Sequence, residues 1–525
     1  MQRRTALKAI GALGVACLST VRSAGQRGNA AGRVQILDTM KRATAFMVDK
    51  VSTKGGFVWA YLPDLSRRWG ELEARETQIW IQPPGTATMG HSFLDSYHAT
   101  KDEYYYQAAE RVAEALIQVQ YPSGGWNYLA DFAGAASLRA WYDTIGRNAW
   151  RMEEFQHDWG NATFDDAGTA ESAKFLLRLY VEKRDAKYRP ALDKAIRFVL
   201  DSQYPVGAWP QRFPAPPRSI RQGLPEYPSY PTFNDDVAAE NIDFLLMCYQ
   251  ALANRPVLDA IRRGAKAFLV TQQGSRQPGW ALQYSADLKP AAARSYEPNA
   301  LATHTTAANL GSLLKFYRLT GDAGLLARIP EALDWLEALT LPPGVATQGR
   351  THPTFVELGT NRPLYVHRTG SNVRNGRYYA DHDPKRTLAH YSGFRRIDVA
   401  GLRKQYEATK ALPPAQAAKE SPLRPGAGVR PLPKYFAVES GILPSTVEVV
   451  SSLTSEGYWL APLGYNSHPF RRQASPELVP GDFSQTYVGD ETDTSPFPDD
   501  TLRGISTAAY IRNMSALIRA LDETA

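Results

Sequence analysis

A chain of 525 residues with 43% hydrophobic side chains can bury one large core or two, and its 22% charged content argues against long disorder. The net charge of +7 leans toward an anionic partner, but spread over so large a surface the bias selects nothing by itself. Two cysteines exclude a disulfide framework: Cys17 falls in the leader described next, and Cys248, within FLLMCYQ, is expected as a buried free thiol.

Residues 1–25 read as an export signal. Arg3 and Arg4 precede an apolar run, Ala9 to Leu18, that is too short to span a bilayer. The pattern is twin-arginine-like and places the mature chain in the bacterial periplasm or outside the cell. Gly14 stands where a lipoprotein box wants a large aliphatic residue, so no lipid anchor is expected. From residue 33 onward, apolar helical runs recur ahead of a turn and a tryptophan: Trp59, Trp126, Trp209 and Trp280, spaced by 67, 83 and 71 residues. Such an interval holds two helices and two connections. First helices begin near Thr88, Phe164, Phe233 and Ala302, and second helices carry apolar residues at three-four spacing, as in Ala195, Ile196, Val199 and Leu200. A further second helix starts at Pro330. Residues 33–410 are therefore expected to form an all-α fold, an (α/α) toroid of helical hairpin repeats. After about Pro342 the chain turns loop-rich and dense in arginine, at 362, 368, 374, 377, 386, 395 and 396. Residues 411–525 are expected as a loop-rich C-terminal extension: a proline-rich connection from Pro413 to Pro433, then an irregular stretch ending in the amphipathic ISTAAYIRNMSALIRAL. That last helix is expected to dock beside the first repeat, which lacks a leading helix.

Asp165-Asp166 and Asn234-Asp235-Asp236 stand at the same phase of consecutive repeats, immediately before an apolar helix. One such pair is ordinarily a helix cap, because Asp and Asn satisfy the free N–H groups there. In a ring of hairpins, however, all first helices start on one face, so two acidic pairs converge and suit a hard cation such as calcium. The turn QYPVGAWPQRFP offers Trp209 for stacking on a sugar ring, with Gln211 and Arg212 for hydroxyls and carboxylates. Trp59 and Trp126 are expected only to pack. Lys289 and Arg294 follow the last tryptophan turn, and Asn361, Arg362, Tyr365 and Arg368 lie in VELGTNRPLYVHRTG. Arginines separated by apolar and turn residues, without a nucleic-acid-binding motif, favour a polyanionic sugar over DNA or RNA. Nine scattered His give no zinc spacing, and no phosphate-cradling loop is present.

The strings FDDAGTAESAKFLLRLY, QYPVGAWPQRFP, TFNDDVAAENI, LKPAAARSYEP and ELGTNRPLY, in this order between about Asp38 and Arg396, resemble the motifs of the pectic acid lyases, polysaccharide lyase family ten. The resemblance implies an (α/α) toroid that cleaves polygalacturonate by calcium-assisted β-elimination. It also implies metal ligands Asp165, Asp166 and Asp236, with Asp235 bridging metal and substrate. Arg294 would be the proton-abstracting residue, with Lys289, Arg362 and Arg368 on substrate carboxylates. Arginine is an awkward base, being fully protonated in most proteins; a desolvated position with Lys289 nearby would favour its neutral form. Ala208 for glycine, Asp166 for asparagine, Ala281-Leu282 after Trp280, and Val366, His367 and Thr369 depart from the family pattern and bear on which uronate is accepted. A monomer with no membrane partner is expected. Two alternatives stand beside the lyase: a glycoside hydrolase using Asp165 with Asp235 or Asp236, and a noncatalytic exported scaffold that binds acidic polysaccharide.

Overall fold

The computed structural model describes residues 32–147, 153–215, 227–346, 349–369, 377–388, 391–424, 426–435, 443–463 and 502–523. The export signal, Cys17 and Arg374 lie outside these residues. Helix α1 (Arg33–Phe46) is followed by four helical hairpins: α2 (Thr86–Thr100) with α3 (Glu103–Gln118), α4 (Gly168–Lys183) with α5 (Arg189–Asp201), α6 (Val237–Leu252) with α7 (Val257–Thr271), and α8 (Thr303–Thr320) with α9 (Ile329–Ala338). The first helix of each hairpin is an inner one. α4, for example, is buried continuously from Gly168 to Leu179, whereas its partner α5 buries only the stripe Ala191, Leu192, Ala195, Ile196, Phe198 and Val199. Inner helices pack side by side, α2 on α4 and α4 on α6. The expected all-α class of helical hairpin repeats is the one observed. No described helix is long and apolar enough to cross a membrane.

One device joins successive hairpins. Gly55, Gly124 and Gly207 have φ of +88°, +110° and +101°, and a Cβ on each would lie 2.2, 2.3 and 2.0 Å from the carbonyl oxygens of Arg111, Lys194 and Arg263. Those carbonyls belong to α3, α5 and α7, so each turn rests on the outer helix of the next repeat, at a distance only glycine permits. The tryptophans close the turns from inside: Nε1 donates to Leu116 O from Trp126, to Val199 O from Trp209 and to Phe268 O from Trp280, at 2.8–2.9 Å.

The C-terminal residues repeat the device. Helix α10 (Val399–Lys410) packs on α8 and α9, and after it α11 (Thr446–Ser451) leads into a turn in which Trp459 Nε1 donates to Val449 O at 2.9 Å. Gly457, at φ +100°, faces Arg42 O of α1 at 3.0 Å, as the earlier glycines face their next outer helix. Helix α12 (Thr507–Glu523) then packs as an inner helix against α2 and α1, and Thr507 N donates to Trp59 O. The docking expected of this helix is observed, and the Trp459 turn is one more repeat, placed in space ahead of the first.

Between α10 and α11 the proline-rich segment runs along the C-terminal ends of the inner helices. Tyr317 OH donates to Leu412 O, Arg430 N donates to Gln250 O, and Tyr435 N donates to Asp95 Oδ1. Tyr435 inserts into the ring: it stacks on His91 at 3.8 Å between centroids and its hydroxyl bonds Glu171.

The arginine-dense stretch is less irregular than expected. It contributes to an antiparallel sheet of β1 (Ala300–Ala302), β2 (Phe355–Glu357), β3 (Pro363–Thr369) and β4 (Arg377–Asp381), in the order β4-β3-β2-β1. Along β3 side chains alternate, so Leu364, Val366 and Arg368 share one face, and Tyr365 and His367 the other. Leu364 and Val366 pack with Tyr296 and Tyr391.

Candidate active site

The acidic turns before α4 and α6 have the same backbone. Asp166 and Ala167 take φ/ψ of 49°/32° and 60°/10°, and Asp235 and Asp236 take 48°/33° and 60°/22°. Two consecutive non-glycine residues in the left-handed region cost of order 1 kcal/mol or more each, and the surrounding fold must impose them. The match fixes the register: Asp165 corresponds to Asn234, Asp166 to Asp235, and Ala167 to Asp236. The first member of each turn is buried, and the second is half-buried.

The two turns meet, and one ligand atom from each of Asp165, Asp166 and Asp235 lies within 4.8 Å of the others. The third carboxylate is therefore Asp235; Asp236, one residue further round the turn, falls outside the cluster, which corrects its expected role as a metal ligand. Gln82 Nε2, from the first repeat, donates to Asp166 Oδ2 at 2.7 Å and to Glu71 Oε2 at 2.9 Å. Asp165 Oδ1 is buried without a hydrogen-bond partner. An orphaned carboxylate oxygen among three convergent carboxylates fits a hard divalent cation.

Arg294 reaches the same place from the loop after the last tryptophan turn. Its Nη2 pairs with Asp165 Oδ2, its Nη1 with Glu297 Oε1 at 3.0 Å, and its Nε lies 3.5 Å from Glu154 Oε2. Tyr128 OH also donates to Asp165 Oδ2. Burial works to lower the guanidinium pKa, but Asp165, Tyr296, Glu154 and Glu297 overcome it and hold it well above the ordinary value. Burial, against the attraction of Arg294, raises Asp165, and raises Glu154 to about 7. The resting Arg294 is thus a cation among carboxylates, and the neutral form expected from a neighbouring Lys289 is not supported. Lys289 sits at a turn tip, its side chain 78% exposed and paired with Asp287 at 2.7 Å.

The other expected residues divide. Gln211 and Arg212 belong to the site. The Gln211 side chain lies against Asp165 and lowers its pKa, and buried Arg212 bonds Asn127 and Asn161 over the ring of Tyr128, leaving Nη2 without an acceptor. Trp209 is wholly buried and spends its N–H on Val199 O, so the expected sugar stacking is overturned: it closes its hairpin as Trp126 does. Asn234 is buried too, donating to Glu297 and Tyr391 rather than facing substrate. Arg368 is buried on the β3 face that packs toward Tyr296 and Tyr391. Arg362, six residues earlier and about 20 Å along the strand, is exposed at the β2–β3 hairpin, so it does not join Arg294. Asn361 there accepts from Trp335 Nε1 and Gln277 Nε2, a structural role. Tyr365 points to the opposite face of β3 and packs on Phe394. Glu154, Tyr128, Tyr296, Glu297 and Tyr391 were not singled out from sequence. Tyr296 and Glu297 do stand in the motif that carries Arg294, whereas nothing periodic surrounds Glu154.

Residues 136–381 match the family model described as pectic acid lyase. No curated protein matches the chain. Among solved structures, a family 10 polysaccharide lyase from Cellvibrio cellulosa is 19% identical, with 62% of this chain and 98% of that chain covered and a TM-score of 0.41. A mutant of that lyase, in complex with trigalacturonic acid, gives 18% identity over the same shares and 0.41. A D-mannose isomerase gives 11% identity, 94% and 98% coverage, and 0.43.

Proposed function

We propose that this chain, whose residues 136–381 match the family model described as pectic acid lyase, cleaves polygalacturonate by calcium-assisted β-elimination at the cluster of Asp165, Asp166, Asp235 and Arg294. The supporting observation is the meeting of three carboxylates, one with an orphaned buried oxygen, beside a buried arginine. Asp165, Asp166 and Asp235 would hold the cation. A cation held there would supply the positive charge that offsets a uronate carboxylate. Arg294 is the group proposed to take the C5 proton, after passing one of its own N–H protons to the buried carboxylate of Glu154, whose pKa burial raises to about 7, while the guanidinium groups of Arg212 and Arg368 meet substrate carboxylates. The electron pair left at C5 forms the C4–C5 double bond, the C4–O bond breaks, and the departing oxygen takes up a proton. No water enters, so the new non-reducing end is unsaturated.

Pectate incubated with the protein should gain ultraviolet absorbance with calcium and lose that gain with chelator. Saturated ends formed without added cation would instead show a hydrolase, and binding without product a scaffold. Asp166→Ala and Asp235→Ala should each weaken calcium affinity at least about tenfold, read by titration calorimetry. Export as a monomer belongs to the same proposal, motivated by Arg3, Arg4 and the apolar run to Leu18; cell fractionation finding the protein in the cytoplasm would overturn it.

A further inference from the structure

We propose that Glu297 and Tyr391 are positioning residues that fix the guanidinium of Arg294 and tie it, through Asn234, to the turn bearing Asp235. The inference rests on the lyase function proposed above for the same site.

Glu297 lies three residues after Arg294, and the intervening loop closes on itself. Glu297 N donates to Arg294 O at 2.8 Å, Ala293 N donates to Glu297 O at 3.2 Å, and Arg294 N donates to Glu297 Oε2 at 2.9 Å. The other carboxylate oxygen is a hub. Glu297 Oε1 accepts from Arg294 Nη1 at 3.0 Å, from Tyr391 OH at 2.6 Å and from Asn234 Nδ2 at 3.3 Å. Tyr391 OH in turn accepts from Arg294 Nη1 at 3.0 Å and from Asn234 Nδ2 at 3.1 Å. A phenol has one proton and two lone pairs, and here all three are engaged.

The geometry follows from that saturation. With Nη1 held by both Glu297 and Tyr391, rotation of the planar guanidinium is blocked, and Nη2 is aimed at Asp165. Asn234 is the residue before Asp235, and both of its contacts here are to the same two groups. A shift of the arginine is thereby a shift of the acidic turn. Arg294, Glu297, Asn234 and Tyr391 are exposed by only 2, 2, 3 and 6%, so water cannot easily replace a lost partner. A shielded network in which Glu297 and Tyr391 both hold one guanidinium nitrogen specifies one arrangement.

The test is a double-mutant cycle of Tyr391→Phe and Arg294→Lys in the full-length protein. Tyr391→Phe keeps the ring that packs on Tyr296 and Phe355 at 5.6 and 6.3 Å, and removes the hydroxyl alone. The expected result is kcat on pectate lower by about tenfold to a hundredfold, with KM within about twofold. In the Arg294→Lys background the same substitution should add little, because Tyr391 acts through the arginine. An unchanged kcat for Tyr391→Phe, or effects that multiply, would overturn the proposal. The cycle is also read in melting temperature, which needs no turnover. Overlapping melting shifts without any pectate cleavage would uphold the network and sink the lyase function, whereas additive shifts would overturn the network itself.

Discussion

Asp166 and Asp235 occupy backbone positions that favour glycine, and the fold imposes them by bringing two turns into contact, one above each of two neighbouring inner helices. Convergence of the acidic residues was legible because both repeats carry them at one phase. The register was not, since FDDAG and FNDDV can be aligned by their acids or by their phenylalanines, and only the backbone selects Asp235 over Asp236. Exposure separates the basic residues similarly. Lys289→Ala and Arg362→Ala should each leave kcat/KM on pectate within about twofold of wild type, while Arg294→Ala should abolish turnover; losses of tenfold or more in the exposed pair would return them to the site. Trp209 shows why an aromatic flanked by Gln and Arg misleads: sequence does not tell whether its N–H meets a sugar or a helix carbonyl. Beneath the site, burial raises Glu171 from 4.5 to about 7 against the pull of Lys174, Tyr435 and Arg178. The folded protein then holds a proton that the unfolded chain has released, so this contribution is full below about pH 4.5 and is lost as pH rises to about 7, by about 3 kcal/mol. Glu171→Gln should flatten the fall of melting temperature across that window, and an unchanged profile would assign the fall to other groups.

At the scale of elements, the unit of construction is a turn whose glycine rests on the next outer helix. Gly207→Ala would place a methyl 2.0 Å from Arg263 O at φ +101°, so the junction of α5 and α7 must open. The expected cost exceeds about 1 kcal/mol, visible as a lower midpoint in urea. Gly274→Ala, with nothing within 4 Å of its added methyl, serves as the control, and equal midpoints for the two would contradict this account. The helices were legible because apolar spacing of three and four repeats with each tryptophan. The sheet of β1 to β4 was not, for its strands are short, and in β3 the alternation Leu364, Val366, Arg368 ends in a charged residue that is nonetheless buried. The Trp459 turn escaped notice because only six helical residues precede it.

At the scale of the molecule, the proline-rich connection and the C-terminal helices complete the ring. The connection joins the ends of α8, α6 and α2 and seats Tyr435 between His91, Asp95 and Glu171. Composition announced a linker there, because proline marks extended chain whether it hangs free or lies in a groove. Residues 507–523 should show slow hydrogen exchange in the native protein, and a chain ending at residue 442 should fail to melt cooperatively; rapid exchange in α12 would remove it from the ring. Thr507 meets Trp59, and Gly457 meets Arg42, across more than four hundred residues. The hairpins can coil as they leave the ribosome, but the seam between α1 and α2 stays unsealed until Gly457 and the helix that starts at Thr507 have been synthesised. Throughout that interval the nascent molecule carries a greasy open edge, and chaperone capture or aggregation competes with the final act of closure.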